Sequence, residues 1–414
     1  MRNRAILRAM ALAIIVLAGT GYGQEKPRKI KILGTGKAQS TPVLAVWFTA
    51  EPSTDPTIFP TRVWGTVGPA DIWRYMRIYF PRSFSDLLEY EFIFLAQVDM
   101  TFFTLEQQKW LYDALRDYPR GAVNTRSVMS ANTPLNEPWK NSILSAAFPN
   151  DVVAVLADDK NFQGKAGPLI IKDDQDLPDI MKPFKKMIEP IFPLYPGLNT
   201  IPKPGSVILS YTKNNEGIGA PIPGQIAHVF YWKWNNSITF TLRDMVYDAF
   251  WSPEGSLVAN PYALDIIVNV IWFATGRQLP KDPLEVHRYR RLVFDFRIRR
   301  SLLISLLDFA ETFGANPAKQ YSQLSEIDVV GRKAADLYLD GGYEDAYDTM
   351  SDAMSRLKDL DVDAAKLKNK ALLWVHLVEW SVTTATFLVA GIALWSLMVK
   401  RTLYREVGET KWSR

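Results

Sequence analysis

Six aspartates offer the clearest chemistry in this chain: Asp99, Asp158, Asp159, Asp173, Asp174 and Asp176. They follow strand-like stretches or lie in a segment rich in Pro and Asp. Ligands of open α/β sheets gather at the carboxyl ends of the strands. Carboxylates there could share acid and base roles in a hydrolysis, with or without a divalent cation. Asp99, Asp158 and Asp159 are the first catalytic candidates. Neither DDKN nor DDQD has the spacing and glycine of an EF-hand loop, so a solvated acidic loop competes with that reading. Ser127 and Ser130 follow a candidate strand and His228 lies in a later one, which makes a Ser–His pair conceivable. No G-x-S-x-G elbow accompanies them, and His228 reads better as a packed strand residue. Gly34 to Gly36 (GTG) reads as preceding the first strand rather than following one, which weakens a dinucleotide reading.

Composition removes several classes. The chain has no cysteine and only His228, His287 and His376. Thiol nucleophiles, Cys-ligated zinc, iron–sulfur centres and disulfides are therefore excluded, and no cofactor or resident metal is implied. A net charge of +4 over 414 residues gives no concentrated basic face for nucleic acid. The basic feature that does stand out is local: Arg288, Arg290, Arg291, Arg297, Arg299 and Arg300 crowd one helical stretch. They form a candidate patch for anionic head groups or an acidic protein, against the alternative of a solvated or internally paired helix face.

Both ends of the chain read as export and anchoring signals. Val382 to Val399 is eighteen residues without a charge, followed at once by Lys400 and Arg401. Counted back to Ala371, the apolar stretch is long enough for the roughly 20 residues that cross a bilayer. His376 and Glu379 share one face beside Trp374 and Trp380, at the level expected of an interfacial belt. At the other end Arg2, Arg4 and Arg8 precede an apolar core from Ala9 to Ala18. Gly21 and Gly23 then place small residues before a cut at Gln24; an uncleaved signal anchor is the alternative. The tail's Lys400, Arg401, Arg405, Lys411 and Arg414 place it in the cytoplasm, although Lys366, Lys368 and Lys370 flank the other side.

The elements that must position these residues alternate. Val43 to Ala50 (VLAVWFTA) reads as a buried strand and Pro69 to Phe80 as a helix. Tyr90 to Gln97 is a strand, and Thr104 and Gln107 form a capping box ahead of a helix carrying Leu111, Ala114 and Leu115. Ala122 to Met129 and Val152 to Leu156 are strands, with a short helix from Trp139 to Phe148 between them. An irregular excursion spans Lys160 to Pro204. Ser206 to Tyr211, Ala227 to Trp234 and Ile238 to Leu242 are strands, the last two joined by a turn at Asn235-Asn236. Met245 to Trp251 and Pro261 to Thr275 are helical. From Leu284 the pattern is helical throughout, with a hairpin at Gly341-Gly342 and a last helix starting near Val362.

The unit EYEFIFLAQVDMTFFTLEQQKWLYDAL, then AFPNDVVAV, PKPGSVILSY and the hairpin entering TLRD, resemble class I glutamine-amidotransferase-like domains. The variety is that of exported membrane proteins, notably archaeal ones. LKNKALLWVHLVEW followed by LWSLMVKRTLYREV is similar to their anchors. The resemblance implies a flavodoxin-like sheet with a ligand cleft. The family's Cys and its His–Glu pair are not carried over, because the stretch after the third strand reads NTRSVMSAN.

The expected organisation is a signal peptide at 1–23, a linker at 24–42 and an α/β flavodoxin-like ectodomain at 43–280. An all-α membrane-proximal domain at 284–370, a transmembrane helix at 371–399 and a cytoplasmic tail at 400–414 complete it. The expected role is a non-catalytic, membrane-anchored surface protein binding a protein partner or a small ligand. A carboxylate- or cation-dependent hydrolase and a structural subunit of a membrane complex are the alternatives.

Overall fold

The computed structural model describes residues 29–125, 136–152, 168–190, 200–213, 225–243, 246, 251 and 260–411. Its centre is an eight-stranded mixed sheet in the order β2-β1-β3-β4-β10-β9-β8-β6. β1 is Ile30–Lys37, followed by helix α1 (Thr41–Ala50), β2 (Thr54–Arg62), α2 (Pro69–Tyr79) and the short α3 (Phe84–Leu87). β3 (Phe92–Ala96), α4 (Leu105–Asp117) and β4 (Gly121–Thr125) continue the series. β2, β1, β3, β4 and β10 (Ser237–Leu242) run parallel, while β9 (Gln225–Trp234), β8 (Val207–Lys213) and β6 (Leu169–Ile171) are antiparallel additions.

Two readings of the sequence are corrected at the start of the sheet. Thr41–Ala50 is a helix, not a strand, and the sheet begins at Ile30, inside the expected linker. β1 and β2 are parallel neighbours, so the chain between them must cross over, which a tight turn cannot do. Leu44, Trp47 and Phe48 take the buried side of that crossover at helical spacing, and Val46 points to solvent. Gly34 to Gly36 lies within β1 rather than ahead of the first strand.

Helices cover both faces of the parallel half. On one face Ile72 and Met76 of α2 and Leu111, Ala114 and Leu115 of α4 pack on Leu33, Ile93, Leu95 and Ala122. On the other, Phe48 of α1 lies 5.8 Å from Phe94, and Phe273 of the later helix α7 (Ala263–Ala274) lies 6.2 Å from Phe240. A Cβ on Gly121 would stand 2.6 Å from Phe92 and 2.7 Å from Ala274, so that strand start admits only glycine.

Between β4 and β10 the predicted helix from Trp139 to Phe148 splits into α5 (Asn136–Lys140) and a 3-10 turn at Ile143–Ala147. Of the strand read at Val152 to Leu156, Val152 ends β5 (Asn150–Val152), and the rest lies outside the described residues. The excursion carries β6, helix α6 (Lys185–Ile188) and β7 (Thr200–Pro202), which pairs with β5 in a second, two-stranded sheet.

The helical part comprises α8 (Pro283–Thr312), α9 (Ala318–Leu339) and α10 (Tyr343–Lys411). The second arm of the hairpin, which starts at Tyr343, and the last helix expected from near Val362 are one continuous helix, α10. By contacts the chain divides into two units: one runs to Arg290 and takes in Leu337–Glu344, and the other holds Arg291–Asp336 and the chain from Asp345 onward. In the second unit Leu303, Leu307, Ala310, Leu324, Ile327, Ala346, Met350, Ala353 and Leu357 form the buried core. Further along α10 the side chains from His376 to Thr402 are exposed. An 18-residue window there reaches a mean hydropathy of 1.9 with none of it buried, so this helix is long and apolar enough to cross a membrane.

Candidate ligand-binding site

Strand order fixes where a ligand would enter this sheet. From β1 the chain crosses over on the α1 face to β2 on one side. It then returns on the α2 face to β3 on the other side of β1. Such a reversal opens a crevice at the carboxyl ends of the two central strands, where ligands of open sheets bind. By strand order that switch point lies between the ends of β1 and β3.

At the end of β1 a register shift falls between Gly36 and Lys37. Gly36 must be glycine: a Cβ would lie 2.0 Å from the Ala96 carbonyl oxygen on β3. Lys37 is buried along its stem, and its ammonium sits 3.6 Å from the centre of the Trp64 ring, a cation–π geometry. A turn follows, in which the Ser40 N–H donates to the Lys37 carbonyl at 2.8 Å. Ser40 is the N-cap of α1, yet its side chain makes no capping bond, and the first turn holds no acidic residue.

At the end of β3 Gln97 adopts φ +56°, the left-handed region that costs a side-chain-bearing residue on the order of 1 kcal/mol or more. Its N–H is shared between the carbonyls of Leu95 (3.1 Å) and Thr125 (3.2 Å), which pins the bend against β4. Asp99, a predicted catalytic carboxylate, stands just beyond, half-buried. Its Oδ1 accepts from the Thr101 N–H at 3.0 Å and from the Thr101 hydroxyl at 2.7 Å. It therefore works as the cap of the 3-10 turn Met100–Phe102.

Buried polar groups continue along the carboxyl edge. Asn124 Nδ2 donates to Asn150 Oδ1 at 2.8 Å, and the Thr241 hydroxyl donates to the same oxygen at 3.1 Å. The Thr125 hydroxyl, the Ser40 hydroxyl and Gln39 Oε1 are buried without a hydrogen-bond partner in the protein. An unmade bond of this kind costs about 1–3 kcal/mol. Arg243 follows β10; its backbone N–H donates to the His228 carbonyl at 2.9 Å, and burial lowers the pKa of its guanidinium. His228 is buried and stacked on Trp251 with the rings 9° apart, as a packed strand residue would be.

Asp158, Asp159, Ser127 and Ser130 lie outside the described residues. Asp173 pairs with Lys185 at 3.1 Å and Asp174 with Lys172 at 3.6 Å, as in an ordinary solvated loop. Among the described residues no group of three or more His, Asp or Glu is placed to hold a metal ion.

The arginine patch is not a uniform surface. Arg300 is bidentate to Asp328 at 2.7 and 2.8 Å, and Arg299 bonds Asp361 at 2.7 Å. Arg288, Arg291, Arg297 and Arg299 are exposed. Arg290 is a correction: it is 4% exposed and held by Glu51 (2.7 Å) and Asp265 (2.8 Å), so it is no part of an outer patch. Asp265 also bonds His287 at 2.7 Å, and Arg290 donates to the Tyr338 hydroxyl at 3.0 Å. Burial opposes the Arg290 charge, but Glu51, Tyr338 and Asp265 together outweigh it and raise its pKa; burial also raises that of Tyr338 well above its ordinary value. This network lies at the amino edge of the sheet, where Glu51 and Ser53 precede β2. An open cleft of about 380 Å³, lined by Ser53, Trp272, Arg277, Tyr338 and Tyr343, adjoins it.

No protein-family model matches the chain, and no curated protein matches it. Among solved structures it is similar to a cytoplasmic protein (STM1381) of Salmonella typhimurium, at 12% identity and a TM-score of 0.41, over 60% of this chain and 98% of that one. A protein described as ThuA-like from Parabacteroides merdae gives 13% identity and a TM-score of 0.34, over 62% of this chain and 94% of that one. The coarse layout stands as an α/β sheet unit followed by a helical region that ends in one long apolar helix.

Proposed function

We propose that this chain is a single-pass membrane protein of the cell surface, whose α/β unit recognises a small ligand or a partner at the β1/β3 crevice without catalysing a reaction. The observation that carries this reading is the group of unsatisfied polar side chains there. Ser40, Thr125 and Gln39 present buried polar atoms without partners, beside the strained backbone of Gln97. Buried polar atoms are nearly always paired, so several unpaired ones at a topological switch point fit a site built for an occupant. The exposed apolar stretch of α10 supports the anchor.

The test is a ligand screen by thermal shift on full-length protein in detergent, together with analysis of co-purifying proteins. Binding should be lost when Ser40→Leu and Thr125→Leu fill the crevice. A ligand or partner that binds both variants as it binds the parent would move recognition elsewhere and remove this reading. A hydrolase reading is less well supported, because Asp99 is committed to its turn.

A further inference from the structure

The crevice also has a chemical preference, and the following inference rests on the ligand-site reading above. α1 is a ten-residue helix whose N-terminus meets the end of β1. Thr41 and Val43 carry the free N–H groups of its first turn; Pro42 has none, and the Leu44 N–H is already bonded to the Ser40 carbonyl at 3.1 Å. The aligned peptide dipoles place about half a positive charge at such an end. In many helices a side-chain oxygen at the N-cap neutralises it, as Thr104 does for α4 by accepting from the Gln107 N–H at 3.1 Å. In α1 nothing does: the Ser40 hydroxyl is 1% exposed and bonded to no protein atom.

A second buried hydroxyl lies on the same face of the sheet, two strands away from β1. Gly36, Ala96 and Thr125 form one lateral row, since Gly36 pairs with Ala96 and Ala96 with Thr125. Gly121 of β4 faces α7, as its closeness to Ala274 shows. Side chains alternate along a strand, so Thr125, four residues on, points to that same face. α1 packs on this face through Phe48 and Phe94. At the carboxyl ends of β1, β3 and β4 the row on this face is thus two small residues and then Thr125, on the strand that α7 covers; its hydroxyl is 1% exposed and also without a partner.

We propose that the β1/β3 crevice binds a compact oxyanion, a carboxylate or phosphate group of the ligand, at the N-terminus of α1 with the Ser40 and Thr125 hydroxyls as donors. The arrangement offers donors and positive potential without a carboxylate in the helix's first turn. A neutral ligand would leave the helix end uncompensated.

The experiment is calorimetric titration of the full-length protein in detergent, at constant ionic strength, with inorganic phosphate, malonate and the neutral sugar ribose. Ser40→Ala and Thr125→Val each remove one hydroxyl with little change of volume, and Ser305→Ala on α8 is the control. The expected result is saturable binding of an anion, weakened about tenfold or more in each hydroxyl variant and unchanged in the control. Phosphate binding without malonate binding would assign a phosphoryl group, and the reverse a carboxylate. Binding of ribose alone, lost in the two variants, would overturn the anion inference and leave the ligand site standing. Anion binding that both variants retain would overturn the assignment to α1. If no probe binds, and ligands found by the thermal-shift screen also ignore Ser40 and Thr125, the site itself falls.

Discussion

Arg290 shows how far a residue's sequence context can mislead about its surroundings. It sits among five other arginines on one helix, which favours a surface reading, but it also lies four residues after Val286 and three before Val293, on the buried side. That position was the available signal, and the density of charge around it hid it. Removing a partner from a buried ion network costs about 3–5 kcal/mol, because the remaining charges stay buried and uncompensated. Arg290→Met should therefore lower the melting temperature sharply, with Glu51 and Asp265 left facing each other. Arg300→Met breaks a bidentate pair that is partly exposed, with side chains 38% and 21% accessible, and should cost about 1 kcal/mol or less. Thermal denaturation of both variants in the same detergent checks the contrast. Equal small losses would mean that the Glu51–Arg290–Asp265 network is not a stabilising centre.

At the scale of elements, legibility followed capping and periodicity. α2 and α4 were readable because their starts carry local signals: the Asp71 carboxylate accepts the Gly68 N–H at 3.0 Å, and Thr104 and Gln107 close a reciprocal box. Thr104→Ala should cost about 1 kcal/mol and Thr104→Asp much less, as denaturation would show. The turn at Asn235 was equally legible, and the structure places it at φ +50° between β9 and β10. Asn235→Val should destabilise by about 1–2 kcal/mol, whereas Asn235→Gly should be near neutral. A valine variant that melts with the parent would show that the hairpin relaxes to another turn. The first two strands escaped for physical reasons. β2 contains Pro56 and Pro60, which an edge strand tolerates because one side of its ladder is empty. β1 contains Gly34 and Gly36, where close neighbours on β2 and β3 leave no room for larger side chains. The run VLAVWFTA is apolar almost throughout, so periodicity alone could not separate helix from strand. With β1 unread, the switch point between β1 and β3 could not be located, and attention fell on the aspartates instead of Ser40, Gln97 and Thr125.

For the molecule as a whole, the decisive question is which side of a membrane each part occupies. α10 is 69 residues long, about 100 Å of continuous helix at 1.5 Å per residue. Its apolar, exposed stretch is bounded by lysines on one side and by Lys400 and Arg401 on the other. Five basic residues follow the apolar stretch and three precede it closely, and the proposed single-pass reading takes that excess as the sign of a cytoplasmic tail. The complete lack of cysteine makes this directly measurable, since one introduced thiol is the only thiol. Asp352→Cys falls on an exposed turn of α10 before the span, where its ion pair with Arg356 contributes little. Glu409→Cys falls after the span. In intact cells a membrane-impermeant maleimide should label the first variant and spare the second, and permeabilisation should make both reactive. Labelling of Glu409→Cys alone would invert the topology, and labelling of neither would place the α/β unit inside; both would remove the surface-recognition reading. If both label in intact cells, the apolar stretch of α10 does not span the membrane, and its exposed side chains must be covered in another way.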